Sequence, residues 1–183
     1  MVISNHIRII LSELNDVLSS IDSSQVDQFI YSINKAKKII MYGAGRMGLV
    51  MQCFSMRLTH LGFSAYSLTD SNVPAINTSD LLIIASGSGE TQTVYDVAVL
   101  GKKHGAHLSI ITLHKDSRIG KLADTTVEFK LPVIDGTHPL SIQPMKTLVE
   151  QALMLLLDAV IMEIMQRIQY KEEDVLKRHS NLE

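Results

Sequence analysis

Two glycine-rich segments of the chain carry the residue types that bind anions in proteins. The second one follows the apolar run LLIIA and contains two glycines and three hydroxyl residues, in the order Ser86, Gly87, Ser88, Gly89, Glu90 and Thr91. Glycines let a ligand approach the backbone closely, and hydroxyls and the N–H groups of a helix start donate to negative oxygens. The segment therefore predicts a phosphate site, although one hydroxyl that caps a helix would explain part of it. No Gly-Lys-Ser/Thr follows, which excludes a nucleotide-hydrolysing P-loop.

The first segment, residues 43–48, lies between a short apolar strand and a helix. It matches G-x-G-x-x-G and contains Gly45, Arg46 and Met47. Three interpretations stay open on spacing alone: a dinucleotide site with Asp70 in the ribose-binding position, an anion site without a dinucleotide, and a purely structural turn. In the first two interpretations Arg46 is placed to steer a phosphorylated ligand.

The composition excludes several classes of protein. A chain of 183 residues suits one domain, and 20% charged residues with a net charge of -2 leave no broad basic surface for nucleic acid. The single cysteine, Cys53, excludes a disulfide framework and a cysteine-rich zinc site, and it fits a reducing cytosol. Asp158 and Glu163 interrupt the most apolar stretch, which predicts a buried helix with Asp158 paired, not a membrane span. No targeting segment is visible, so we expect a cytoplasmic protein.

Short apolar strands alternate with helices through the middle of the chain. The pattern predicts one domain, with two helices in residues 1–37, five strands with their helices in 38–131, and a long helix with a charged tail in 144–183. Such alternation is typical of a parallel sheet with helices on both faces, and hence of an α/β three-layer α-β-α sandwich. Ligands of such folds bind beyond the carboxyl ends of the strands, where both glycine-rich segments lie.

Two local details complete the prediction of secondary structure. Ser24 and Asp27 resemble a capping box at the start of the second helix. The segment 131–144 contains three prolines and is predicted to be irregular.

Seven motifs occur in one order along the chain: GAGRMG, MRLTHLG, ASGSGET, DSRIGKLAD, IQPMKTLVEQ, LLLDAV and RHSNLE. Together they resemble the sugar isomerase (SIS) family, and more narrowly the 6-phospho-3-hexuloisomerases of the ribulose monophosphate pathway of formaldehyde fixation. SGSGET marks the wider family, and RHSNLE is the more specific motif. The resemblance implies an enzyme that interconverts D-arabino-hex-3-ulose 6-phosphate and fructose 6-phosphate without metal or nucleotide, and that assembles as a tetramer.

An isomerisation of this kind moves a carbonyl group to the neighbouring carbon through an enediol, and one base on one face can move the proton. Glu150 lies near the start of the strongly apolar helix and matches the glutamate of the family motif P-M-x-x-L-x-E. On spacing alone, Glu150 could equally be a first-turn glutamate that only stabilises the helix dipole. The resemblance favours its role as the base. Glu90 is a second candidate, but we expect it to order the phosphate loop.

The resemblance also implies a role for His179 of RHSNLE, which would move a proton on a substrate oxygen, in a neighbouring subunit's site. His60 is a further candidate for the site. Alternatively, it only interacts favourably with the dipole at the C-terminal end of its helix. Two residues depart from the family pattern: Met47 replaces a serine, and Lys146 replaces a glycine. Lys146 lies one helical turn before Glu150 and is placed to pair with it, which would weaken the base.

Three other functions compete with this isomerase. An isomerase of a different phosphosugar stays open, because Met47 and Lys146 could each change the substrate. A sugar-phosphate-sensing SIS module without catalysis would need a DNA-binding domain, and a dinucleotide-dependent oxidoreductase would need a substrate domain. The chain leaves little room for either. The apolar stripe from Ile3 to Ile21 and the apolar helix after Glu150 would expose apolar surface, which predicts a homo-oligomer, tetramer first and dimer second, with the sites close to subunit boundaries.

Overall fold

The computed structural model describes residues 2–131, 133–134, 138–139, 141–176 and 178–182. Helices α1 (Val2–Ser19) and α2 (Ser23–Lys35) come first. Strands and helices then alternate: β1 (Ile39–Gly43), α3 (Arg46–His60), β2 (Ala65–Ser67), β3 (Leu81–Ala85), α4 (Gln92–Lys103), β4 (His107–Thr112), a 3₁₀ turn (Gly120–Leu122) and β5 (Thr125–Glu128). A short hairpin, β6 (Val133–Ile134) and β7 (His138–Pro139), precedes α5 (Thr147–Arg167) and α6 (Glu172–Leu176).

Strands β1 to β5 form one parallel sheet in the order β2-β1-β3-β4-β5. Ile39 of β1 pairs with Ala65 on one side and with Leu81 on the other. The direction in which the chain adds strands therefore reverses between β1 and β3. In an open α/β sheet the crevice at this reversal, beyond the carboxyl ends of the two strands, is where ligands bind.

Helices cover both faces of the sheet, although unequally. Alternate side chains of a strand point to opposite faces, so Ile39 and Met41 of β1 join the core with α1, α2, α3 and α5, whereas Ile40 joins the core with α4. β3 is buried along its whole length because it lies between both layers. The predicted three-layer α/β sandwich with five parallel strands is confirmed.

Helix α5 is buried on most of its circumference but not on all of it. Leu155 is 45% exposed and Met162 is 71% exposed, on the side away from the sheet. Asp158 is also exposed in the single chain, so it is not buried within the chain. That Asp158 is paired through a contact with another subunit stays a prediction. Within the ranges described above, no helix is both long enough and apolar enough to cross a membrane.

Some local predictions differ from the structure. The cap of α2 is Asp22, whose carboxylate accepts from the Ser24 N–H at 2.9 Å, so the capping box on Ser24 and Asp27 is wrong. The segment predicted to be irregular contains the hairpin β6–β7, which is antiparallel and two residues long on each side. The rest of that prediction falls partly on positions 132, 135–137 and 140, outside the described residues, as does Glu183 of RHSNLE.

The first helix holds the segment that leads into α5. The Glu13 carboxylate accepts from Ser141 Oγ at 2.9 Å, from the Ile142 N–H at 3.0 Å and from Gln143 Nε2 at 2.8 Å. Burial alone would raise the pKa of Glu13, but these hydrogen bonds outweigh it and hold the pKa below its ordinary value. Glu13 thus fixes the chain just before Lys146.

Candidate active site

A cavity of about 120 Å³ lies at the reversal point of the sheet. Three parts of the chain form its wall: the turn after β1, the loop after β3 and the start of α5. Its lining residues are Ala44, Met47, Ala85, Ser86, Gly87, Ser88, Thr91, Val94, Lys146 and Glu150. A larger cavity, of about 510 Å³, lies between the α1–α2 pair and α5, but its lining is mostly apolar and far from both glycine-rich segments. The smaller cavity is therefore the candidate site.

The loop after β3 keeps donors available for an anion. Ser86 Oγ accepts from the Gly89 N–H at 3.1 Å and Ser88 Oγ accepts from the Glu90 N–H at 3.3 Å, and both hydroxyls still have a hydrogen to donate. In the described part of the chain, the backbone N–H groups of Gly87, Ser88 and Thr91 have no acceptor. The N–H groups of Gly89 and Glu90, predicted as phosphate ligands, are instead used inside the loop.

The loop can only take this shape with glycine at position 89. Gly89 has a φ of +65°, and a Cβ there would lie 1.9 Å from Ser117 Oγ. Ser117 in turn accepts from the Gly120 N–H at 3.2 Å, which joins the loop to the 3₁₀ turn. The glycine is therefore required both by its backbone conformation and by close packing.

Arg118 holds the phosphate loop through Glu90. Its N–H and its Nε each donate to the Glu90 carboxylate at 2.8 Å, and its guanidinium lies 4.5 Å from the Tyr95 ring centroid. The hydrogen bond from the Arg118 N–H, helped by the guanidinium, holds the pKa of Glu90 below its ordinary value. Glu90 does not line the cavity, and its carboxylate contacts Arg118. That it orders the loop and is not the base stays a prediction. Sequence reasoning missed Arg118, whose motif carries no local signal of this contact.

Glu150 meets a different cation from the one that the sequence suggests. Arg46 Nη1 lies 2.9 Å from Glu150 Oε2, and the same nitrogen donates to Thr147 Oγ1 at 3.1 Å. Glu150 Oε2 accepts no hydrogen bond from the described residues. Its contact with Arg46 is therefore an ion pair in which the Arg46 N–H does not point at the carboxylate. The Glu150 side chain is 15% exposed. Arg46, predicted to steer the phosphate, thus holds the carboxylate.

Lys146 reaches the phosphate loop instead of Glu150. Its Cδ and Nζ lie 3.3 Å and 3.8 Å from the point where a Cβ on Gly87 would be, and Met47 Cε lies 3.6 Å from that point. The two residues that depart from the family pattern therefore cover the same glycine, from α3 and from the start of α5. The Lys146–Glu150 pair suggested by their spacing is replaced by the pair of Glu150 with Arg46.

The first glycine-rich segment serves as the start of α3. Gly45 has φ +60° and ψ -136° and precedes the helix without a side-chain cap. Asp70 accepts from the Ser67 N–H at 3.0 Å and so stabilises its own turn, which weakens its assignment to a ribose. Met47 is only 8% exposed because it lies against the second loop. This arrangement favours an anion site over a dinucleotide site at the reversal point.

His179 lies far from Glu150 in the same chain. Its ring centroid is 5.2 Å from that of His60, at the end of α3, and the neighbouring Arg178 lies over the Tyr170 ring at 5.4 Å. Glu150 lies beside Arg46 at the beginning of α3, and the 15 residues of this helix span about 20 Å. The structure thus brings His179 and His60 together, but not with the other predicted site residues.

The remaining candidates have no visible place in this cavity. Cys53 is exposed on α3. Over the residues that the structure describes, no three histidine, cysteine, aspartate or glutamate side chains are grouped so that they could hold a metal ion. The polar groups that the described residues present to the cavity are hydroxyl, N–H, ammonium and carboxylate groups.

Comparisons with known proteins agree with this geometry. The family model described as "SIS domain" matches residues 32–161. The chain is 36% identical to a 3-hexulose-6-phosphate isomerase of Bacillus subtilis, with 95% of each protein covered. It is 38% identical to a 3-hexulose-6-phosphate isomerase of Methanocaldococcus jannaschii, with 87% of this chain and 84% of that protein covered.

Solved structures give the same result. A protein from Methanococcus jannaschii, whose crystal structure was taken to infer a 3-hexulose-6-phosphate isomerase function, has a TM-score of 0.84 and 33% identity, and 98% of this chain and 99% of that one are covered. Because the family model covers more than half of the chain and these relatives exceed 30% identity over most of it, the chain belongs to the SIS domain family.

Proposed function

We propose that this chain is a sugar-phosphate isomerase that interconverts D-arabino-hex-3-ulose 6-phosphate and fructose 6-phosphate, without a metal or a nucleotide. One observation carries the proposal: the Glu150 carboxylate and the hydroxyl loop of Ser86 and Ser88 line the same cavity. A phosphate group and a carbon-bound proton can thus be held at one place. Relatives that are 30–38% identical over most of the chain are named 3-hexulose-6-phosphate isomerase, and their reaction needs these two groups.

In the proposed mechanism, the loop after β3 anchors the phosphate of the substrate. Ser86, Ser88 and Thr91 donate through their hydroxyls, and the N–H groups of Gly87, Ser88 and Thr91 donate at the start of α4. The helix dipole favours the negative charge. The ring-opened sugar then extends from this anchor towards α5.

Glu150 is the proposed base. It removes the proton from carbon 2 of the 3-ketose, and the electron pair of that C–H bond forms the double bond of a 2,3-enediol as oxygen 3 gains a proton. Glu150 then returns its proton to carbon 3, and oxygen 2 loses its hydroxyl proton to become the carbonyl of the 2-ketose. Arg46 contributes by holding the carboxylate in place. One carboxylate on one face of the enediol can carry out both transfers.

His179 is the proposed residue that moves the proton between oxygens 2 and 3, in the site of a neighbouring subunit. In its own chain it lies beside His60, about 20 Å along α3 from the Glu150 end. If the C-terminal end of α3 of a neighbouring subunit lies at the mouth of the cavity, His60 and His179 of that subunit can reach the site. This role therefore depends on assembly.

We also propose that the protein is a homotetramer. On α1 the residues Ile3, Ile7 and Leu11 are exposed at 68%, 50% and 60%, and they lie on one face of the helix. The groove of about 510 Å³ between the α1–α2 pair and α5 adds a concave apolar surface. Apolar surface of this extent is typical of an interface between copies of a chain.

The proposed enzyme works in the cytosol, in the ribulose monophosphate pathway.

A coupled assay tests the proposed function. Fructose 6-phosphate formed from D-arabino-hex-3-ulose 6-phosphate is followed by a dehydrogenase-linked absorbance change. Arabinose 5-phosphate is the comparison substrate, and its conversion is followed by chromatography of the pentulose phosphate that it would form. We expect turnover of the hexulose phosphate and at least about 100-fold less with the pentose phosphate. Binding of the hexulose phosphate without turnover would instead support a sensing module without catalysis.

A further inference from the structure

Lys146 carries the one positive charge of the cavity wall that is not already engaged by a carboxylate. Arg46, at the rim, is paired with Glu150, and Arg118, behind the loop, is paired with Glu90. For Lys146, no carboxylate oxygen of the described residues lies within the 4.0 Å of an ion pair. Its charge is therefore available to a ligand.

The backbone before α5 directs Lys146 over the loop. Met145 has a φ of +58°, a left-handed conformation that is uncommon for a residue with a side chain, and it is 98% exposed. Strained residues of this kind persist where the surrounding structure over-determines them, often at ligand sites. Here the turn at Met145 places the Lys146 side chain across the cavity, while Glu13 holds the preceding segment.

The Lys146 ammonium group lies close to Gly87, within reach of an anion bound in the loop after β3. Lys146 Nζ lies 3.8 Å from the Cβ point of Gly87, whose N–H is one of the donors left open in the loop. Met47 Cε, at 3.6 Å from the same point, forms an apolar wall beside the lysine stem. A phosphate dianion in the loop would then accept hydrogen bonds from the hydroxyl and N–H groups of the loop, and the Lys146 ammonium would lie on its other side.

We propose that Lys146 is a phosphate-binding residue that makes this site selective for phosphorylated over neutral sugars. The inference rests on the proposed function, because it assigns one end of the same substrate. A lysine acts as a point charge on a flexible stem and adds attraction to the phosphate without a fixed hydrogen-bond direction. A role of Lys146 on the enediolate is the alternative, and it would change turnover and not phosphate affinity.

Inorganic phosphate is the probe that tests the proposal, titrated calorimetrically into the full chain. Lys146→Met keeps the apolar stem over Gly87 and removes the charge, so we expect about 10-fold weaker binding and a weaker dependence of affinity on salt. Lys146→Arg keeps the charge and is expected to stay within about 3-fold of the original affinity. Lys103→Met, an exposed lysine at the far end of α4, is the matched control and is expected to change nothing.

The kinetic readout separates this proposal from the proposed function. With the hexulose phosphate as substrate, Lys146→Met is expected to raise KM about 10-fold and to leave kcat within about 2-fold. Unchanged phosphate affinity in Lys146→Met would overturn the role of Lys146, and an isomerase activity of the unmodified chain would still stand. If the unmodified chain shows no isomerase activity and Lys146→Met still weakens phosphate binding, the proposed function fails and the role of Lys146 remains.

Discussion

The Arg46 guanidinium and the Glu150 carboxylate approach each other to 2.9 Å across the starts of α3 and α5. Both helices pack in the same core on one face of the sheet, so this ion pair joins their first turns. Arg46 is 58% exposed at its side chain and Glu150 is 15% exposed. Glu150 is thus the more buried member of the pair and lines the cavity, whereas Arg46 remains in contact with water.

Glu150→Gln is expected to remove most of the turnover. Glutamine keeps the shape of the side chain but cannot accept the carbon-bound proton, and positioned general bases contribute about 10²–10⁴-fold. We therefore expect kcat to fall at least about 100-fold in the coupled assay while the affinity for inorganic phosphate stays within about 2-fold. A variant that retains more than about a tenth of the turnover would place the base elsewhere.

The control for this variant is Asp96→Asn on α4. Asp96 is exposed, accepts from Gln92 Nε2 at 2.7 Å, and lines neither the smaller nor the larger cavity. Asp96→Asn should therefore leave turnover unchanged, and a comparable loss in both variants would point to a general effect of removing a carboxylate.

Much of the fold could be predicted from local sequence because each element is decided by its own residues. The run Leu81–Ala85 is buried at every position, and an apolar run of that length between a turn and a glycine-rich loop predicts an inner strand. The run FSAYSL predicts a strand over residues 63–68, but only Ala65–Ser67 pairs with β1. The hairpin β6–β7 was missed because two-residue strands leave no periodic signal.

The site was harder to predict because its contacts join distant parts of the chain. Spacing on one helix suggested Lys146 as the partner of Glu150, but the left-handed backbone at Met145 directs that lysine over Gly87. Arg46 takes its place from the start of α3. Arg118 was missed for the same reason, since its hydrogen bonds with Glu90 depend on how two loops pack.

Gly89→Ala is expected to damage both stability and phosphate binding. The new methyl group would lie 1.9 Å from Ser117 Oγ, and the residue would have to keep a φ of +65°. We expect a loss of about 3–5 kcal/mol in the free energy of unfolding, measured by urea denaturation, together with weaker binding of inorganic phosphate.

Gly45→Ala is the comparison for that variant. It also has a positive φ, +60°, but nothing lies within 4 Å of its Cβ point. Only the backbone cost of about 1–3 kcal/mol is then expected. Equal losses in the two variants would show that close packing against Ser117 contributes nothing.

The Glu13 cluster predicts a pH-dependent contribution to stability. The pKa of Glu13 is lowered in the folded chain, so its contribution is fully present above the ordinary glutamate pKa of about 4.3 and is lost as the pH falls through the folded pKa. Glu13→Gln should cost about 1–2 kcal/mol at pH 7, from the hydrogen bonds that the carboxylate accepts.

Urea denaturation of both proteins between pH 7 and pH 3 measures this contribution. The difference between Glu13→Gln and the unmodified chain should shrink as the pH falls below about 4.3, because the unfolded chain then takes up a proton at Glu13 more readily than the folded chain does. A constant difference across this range would contradict the assignment. Because Glu13 fixes the segment before Lys146, KM at pH 7 should also rise in the variant.

The last prediction concerns the subunit in which His179 acts. Glu150→Gln and His179→Asn are each expected to be nearly inactive, and the two are refolded together so that subunits mix. If Glu150 and His179 of one site come from different chains, a mixed pair contains one site with both native residues, and about a quarter of the original activity returns. If both residues act within one chain, every site in the mixture lacks one of them and no activity returns.

The control mixture combines the unmodified chain with the double variant, whose mixed pairs contain no complete site when the residues come from different chains. If the residues come from different chains, mixing should lower the activity of the control to about half that of the unmixed proteins, because only pairs of unmodified chains keep complete sites. Recovery in the first mixture together with this loss in the control supports the proposed transfer of the His60–His179 end of α3 to a neighbouring site.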